Sequence, residues 1–137
     1  MSLFHRSGGY TIFISEIDAE HRMLFRLVDE LQTALESRSR HGRSELLQAL
    51  LTHAQAHFAH EERLMRASRY DAFAWHKHQH DGARRHVKRL VKRIEEGDRE
   101  AGAELLEYLA GWLNSHVTVT DRMMAAYLRN FERRRAA

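Results

Sequence analysis

Seven side chains in this sequence could together hold metal: His21, His57, Glu61, His76, His80, His116 and Asp121. They supply five imidazoles and two carboxylates, a nitrogen-rich donor set without a thiolate. His57 and Glu61 stand four apart, so on a helix they share one face, about 6 Å apart along the axis. His76 and His80 repeat that spacing. His116 and Asp121 are five apart, which on a regular α-helix rotates them by roughly 140°, so they cannot point in one direction. They can still meet at a buried centre between helices if it contains two metals, with His116 on one and Asp121 reaching toward both.

A ligand count follows. If Glu61 and Asp121 each bridge, with a solvent-derived oxide or hydroxide as a third bridge, the five histidines divide three and two. One octahedral ion is then closed and the other keeps a position open. Mixed imidazole and carboxylate ligation suits iron, and thiolate-free octahedral geometry disfavours a structural zinc site. An open position on such a centre suits a small gas molecule.

Taken singly these pairs are weak signals. His60 and His78 lie in the same runs on other faces, and His5, His41, His53 and His86 are also left over. The weight comes from one element on each of four helices, with flanking apolar residues turning them inward. Burying five imidazoles and two carboxylates without a ligand would be costly.

The elements that must position them are helical. Met23, Leu24, Leu27, Val28, Leu31 and Leu35 step at three and four, which predicts a first helix with Asp18 as N-cap and His21 in its first turn. The polar stretch Ser37 to Arg43 reads as a loop. Ser44 is expected to cap a second helix running through Leu50, Phe58 and Met65. After a break near Ser68 to Asp71, a third helix runs through Trp75 and His76 to about Glu96, where Gly97 stops it. Asp98 opens a fourth, carrying Leu105, Leu109, Leu113, Met124 and Leu128. Short connections make neighbours antiparallel, so the expected class is all-α, an up-down-up-down four-helix bundle. Residues 1–17 lack helical periodicity and are expected to form an extended arm across one end. The bundle spans 18–130, residues 131–137 are a basic tail, and the whole is one domain.

Composition narrows the rest. The 137 residues contain no proline, which permits long helices, and no cysteine, which excludes disulfides, iron–sulfur clusters and thiolate zinc. Neither a signal peptide nor a membrane span is visible, so a cytoplasmic protein is expected. The net charge of +3 is concentrated at Arg84 to Arg93 and Arg129 to Arg135. In the first run Arg84, Arg85, Lys88, Arg89, Lys92 and Arg93 recur at helical spacing beside Val87, Leu90, Val91 and Ile94. That describes the solvated basic face of an amphipathic helix, and no nucleic-acid-binding motif accompanies it. Neither nucleic acid nor membrane is an expected partner.

The segments IDAEHR at 17–22, HFAHEERLM at 57–65, HKHQH at 76–80 and WLNSHVTVTD at 112–121 resemble the hemerythrins, in particular the single-domain bacterial kind. The resemblance covers about residues 10 to 130 and fills all seven ligand positions. It implies a bundle holding an oxo- or hydroxo-bridged di-iron centre that binds dioxygen reversibly. His76, His80 and His116 would hold the closed iron, His21 and His57 the open one, and Glu61 and Asp121 would bridge. Leu24, Phe58, Trp112, Leu113 and Val117 would line the oxygen pocket, where ordinary core packing is a compatible second role. The chain departs from the family in its arm. Where a tryptophan and Val-Gly-Ile are frequent it has Phe4, Tyr10 and Ile12-Phe13-Ile14, and Asp71 follows Tyr70 where proline is frequent.

Two rival functions remain at this stage. Di-iron oxidases use carboxylate-rich sites with paired Glu-x-x-His elements, and this chain has no Glu-x-x-His. Peroxide or nitric-oxide chemistry stays open because an unfilled position accepts several small molecules, and Thr118 and Thr120 could bring hydroxyls near. A sensor would signal through a separate protein partner. The favoured reading is non-enzymatic oxygen binding for storage, delivery or sensing.

Overall fold

The computed structural model describes Phe4 and residues 9–136. The leftover His5, with residues 1–3, 6–8 and 137, lies outside the described set. Helix α1 spans Ser15–Glu36, α2 Arg43–Ala67 and α3 Phe73–Glu95. Helix α4, Ala101–Ser115, runs through a π-helical turn at His116–Asp121 into α5, Arg122–Ala136, as one rod. Four rods therefore make an all-α four-helix bundle, with α1 against α2 and α4, and α3 against α4 and α2. No helix among the described residues is long and apolar enough to cross a membrane.

The amphipathic spacing works as expected. Leu24, Leu27, Val28 and Leu31 of α1 are buried with Leu50 of α2, Leu90 of α3 and Leu105, Leu109 and Leu113 of α4 in one core. Gly97 adopts φ +89° after α3, where its N–H returns to Ile94 O and the Asp98 N–H to Arg93 O, the expected C-terminal stop.

Three boundaries differ. Helix α1 begins at Ser15 rather than after Asp18, which puts His21 beyond the first turn. The Asp18 carboxylate is not an N-cap: it accepts the Ile12 N–H at 2.9 Å and ties the arm to the helix start. Ser44 does not cap α2 either, because Gly42 takes that position at φ +80°. Arg43 instead closes the end of α1, its guanidinium donating to Ala34, Leu35 and Ser37 carbonyls. The basic residues Arg133–Arg135 continue the last turns of α5, since nothing after Asn130 breaks a helix.

The arm packs into the bundle. Phe4 and Tyr10 lie against Phe25 at ring separations of 4.5 and 4.7 Å. Arg122 and Arg129 donate to the Gly9 and Ile12 carbonyls. Phe13 is held at φ +64° while its ring stays 73% exposed. The backbone there adopts the left-handed conformation that glycine tolerates and a bulky residue does not.

Candidate metal centre

All seven predicted ligand residues converge in the middle of the bundle, each at most 3% exposed. They divide into two overlapping groups. One is His76, His80 and His116 with Glu61 and Asp121; the other is His21 and His57 with the same two carboxylates. Both carboxylates are therefore shared, each presenting an oxygen to either side. Asp121 Oδ1 lies 3.0 Å from His116 Nε2 and 3.1 Å from His76 Nε2, while Oδ2 lies 2.9 Å from His21 Nε2. Glu61 Oε1 lies 3.0 and 3.2 Å from the Nε2 atoms of His80 and His76, and Oε2 3.1 Å from that of His57.

The π turn accounts for the five-residue spacing. Over His116–Asp121 the helix widens so that each turn takes an extra residue, which brings residue i+5 back over residue i. His116 and Asp121 then do point to one place. The expected rotation assumed a regular α-helix, and the local widening removes it. Val119, at the outer side of this turn, is 55% exposed, so the extra residue bulges toward solvent.

Three residues not anticipated as part of the site fix the imidazoles from behind. Glu20 Oε1 accepts from His57 Nδ1 at 2.6 Å, Glu62 Oε2 from His80 Nδ1 at 2.8 Å and Gln79 Oε1 from His116 Nδ1 at 2.9 Å. Each neighbours a ligand in sequence (His21, Glu61, His80) but supports a ligand on the next helical segment. A polar residue next to an inward-facing ligand was the signal available. His60, a leftover histidine, shares Glu20 at 2.7 Å, whereas His41, His53 and His78 are exposed. Thr118 and Thr120 are spoken for: their hydroxyls donate to Asn114 O and Gln79 Oε1. Neither aims at the donor set.

These supports decide what the ring faces need. A neutral imidazole that donates through Nδ1 carries a bare lone pair on Nε2. The Nε2 atoms of His80 and His116 nevertheless face each other at 3.2 Å, and that of His57 faces a carboxylate oxygen. Such contacts are repulsive unless a cation or protons lie between. Both Asp121 oxygens, Glu61 Oε2 and His21 Nε2 are buried with no hydrogen-bond partner, a condition that is rare unless an ion is to be held. The separations also suit cis ligands of one octahedral ion, which stand about 3 Å apart when each bond is about 2.1 Å. The donor set fits metal.

Without metal, protons take that place. Burial opposes charge on His57, yet Glu61 and Glu20 raise it to about 10. His76 is likewise raised to about 9 against burial, by Asp121 and Glu61, and His21 and His116 also move up. Burial pushes Glu61 upward, but His57, His116 and His21 hold it well below the usual carboxylate range. Asp121 is held low by His116 and His21 against burial and the Glu61 charge.

Aromatic rings cover one side of the centre. Phe58 stacks on His80 and Trp112 on His116, each at 4.2 Å and 12° between planes. Leu24, Phe58, Trp112 and Leu113 border a single cavity, while Val117 is buried outside it. Of the five expected pocket residues, four therefore share a cavity.

Residues 12–128 match the profile of the hemerythrin HHE cation binding domain. The chain belongs to the hemerythrin family. It is 31% identical over 114 residues to a bacteriohemerythrin of Aquifex aeolicus, covering 82% of this chain and 87% of that protein. A bacteriohemerythrin of Ralstonia nicotianae is 30% identical over 111 residues, covering 81% of this chain and 78% of its own length. The crystal structure of a leucine-to-tyrosine mutant of hemerythrin superposes with a TM-score of 0.84 over 93% of this chain and 98% of that one, at 24% identity. That last likeness bears on the fold alone. Hemerythrin membership and the buried His/Glu/Asp clusters together make this a cation-binding bundle of the non-heme iron kind.

Proposed function

We propose that this hemerythrin binds dioxygen reversibly at a di-iron centre and is not an enzyme. The observation that carries the reading is the unequal donor set: five protein residues converge on one side and four on the other, with Glu61 and Asp121 common to both. With one solvent-derived bridge, His76, His80 and His116 would bring one iron to six donors, and His21 and His57 would leave the second with five. When bound, a ferrous pair supplies the two electrons that reversible dioxygen binding requires.

The chain's own residues do the rest. Glu20, Glu62 and Gln79 hold the Nδ1 protons of His57, His80 and His116, so each Nε2 is offered as a ligand without reorganisation. Leu24, Phe58, Leu113 and Val117 are buried apolar walls. With Trp112 they keep water and acids from the bound gas, and excluding proton donors makes the binding reversible. The Thr118 and Thr120 hydroxyls, which follow His116 in the π turn, donate to Asn114 O and Gln79 Oε1. Their engagement supports binding over turnover.

Stoichiometry tests this. Anaerobic titration of metal-free protein with ferrous iron should end at two ions per chain, and the loaded protein should take up one dioxygen per two irons. An endpoint of one iron, or continued oxygen consumption with reductant, would overturn the reading.

A further inference from the structure

The bundle is least closed along the α2–α3 seam. Helix α1 packs closely on α2, and α3 on α4, but α2 and α3 meet sparsely. A cavity of about 720 Å³ lies between them. A second, of about 730 Å³, continues toward the Gly97 end and shares Leu51, Val91 and Glu95 with it. The floor of the first is formed by deep core residues, Leu24, Leu50, Leu109 and Leu113. Its rim is basic: Arg84, Arg85, Lys88, Arg89 and Lys92 line it, against one carboxylate, Glu95.

These cations are not equally engaged. Arg84 bonds Glu62, Asp81 and Gln55, Arg89 reaches His86, and Lys92 lies 3.9 Å from Glu96. Arg85 and Lys88 have no carboxylate within ion-pair distance among the described residues. Both are exposed at the rim, on either side of the half-buried Val87. An apolar trough beside unpaired cations fits a ligand with a long apolar body and an anionic head.

We propose that the α2–α3 seam binds a single-chain anionic amphiphile, a fatty carboxylate, with its head at Arg85 and Lys88 and its tail on the apolar floor. The depth of the trough selects this occupant over a partner helix. Neighbouring helices pack roughly 8–10 Å apart, so another helix about 10 Å wide cannot enter between α2 and α3 to reach Leu24 or Leu113. An alkyl chain can. The volume is also in the range of small-ligand pockets, about 300–1,000 Å³. The tail would lie against Phe58 and Trp112, the rings stacked on His80 and His116. The proposal does not depend on whether the metal centre takes oxygen.

Calorimetry of the iron-loaded protein with dodecanoate, below its micelle concentration, tests it. One site per chain is expected, with affinity rising roughly fourfold per added methylene from decanoate to tetradecanoate. Dodecanol should bind at least about tenfold more weakly, and so should dodecanoate to the Arg85→Glu/Lys88→Glu double variant. Ala54→Trp, which fills the trough and leaves the rim intact, should remove binding. Binding that ignores chain length, survives Ala54→Trp, or is matched by dodecyltrimethylammonium would overturn the proposal. So would binding to anionic vesicles without binding of monomeric dodecanoate, which would make the basic face a membrane-docking surface instead.

Discussion

Glu62 offers the sharpest test of how the imidazoles are set. Its Oε2 accepts from His80 Nδ1 at 2.8 Å and from Arg84 Nη2 at 3.0 Å, with the side chain almost entirely buried. Glu62→Leu removes a charge-assisted hydrogen bond from a buried ligand, worth about 1.5–3 kcal/mol. That corresponds to roughly a ten- to hundredfold loss of metal affinity on the His76/His80/His116 side. Glu62→Gln keeps an acceptor oxygen without the charge, so its loss should fall between wild type and the leucine variant. Arg84 retains Asp81 and Gln55 in either case, which limits collateral damage. Competition with an iron chelator under anaerobic conditions reads the affinity, and thermal melts of the metal-free variants report folding separately. Glu107→Gln, on an exposed face, serves as control. Affinity in Glu62→Leu within about twofold of the control would refute the argument that Nδ1 partners prepare the Nε2 ligands.

The remaining predictions concern register, backbone and protonation. His78 is exposed and His80 buried on the same helix, so His78→Ala should keep full iron content while His80→Ala loses iron; equal loss would sink the register assigned to α3. Phe13→Gly should raise the melting temperature, since relief of about 1–2 kcal/mol of left-handed strain at a mostly exposed ring exceeds the roughly 0.5–1 kcal/mol of chain entropy that glycine adds; a lower melting temperature would mean that the contact of the ring with Arg129 outweighs the strain. Metal-free protein should be most stable between the two titration ranges. The raised groups His57 (about 10) and His76 (about 9) contribute fully below their ordinary 6.5, and that stability is lost as pH climbs through 9 to 10. The lowered groups Glu61 and Asp121 contribute above their ordinary 4.5 and 3.8, and theirs is lost as pH falls further. Iron loading should abolish the alkaline loss and release protons on uptake, because the imidazoles then bind as neutral ligands. Urea midpoints across pH with and without iron would check this, and identical alkaline arms would contradict it.

How much of this was legible in the sequence depended on whether the information was local. The pairs His57/Glu61 and His76/His80 obey the helical period, so their convergence could be read directly. His116 and Asp121 do not, and the α-helical period gave the wrong rotation; the odd spacing was itself the trace of the π turn, visible only as a conflict. Glu20, Glu62 and Gln79 escaped notice because each serves a different helix from its own, and that requires the packing order of α1, α2 and α3. Gly97 announced its stop because glycine marks left-handed backbone, whereas Phe13 occupies such backbone without any local sign. Asp18 and Ser44 both look like caps by residue type, yet the Asp18 carboxylate is taken up by the Ile12 N–H and Gly42 holds the N-cap position of α2. The open α2–α3 seam was hidden in a run that read simply as a solvated basic face.

The most direct measurement is the visible spectrum of anaerobically reduced, iron-loaded protein before oxygen, after oxygen and again after deoxygenation, over repeated cycles. The account predicts a charge-transfer band that appears with oxygen and disappears on its removal, cycle after cycle, with both irons retained. A single irreversible oxidation, with no band that reverses, would contradict it.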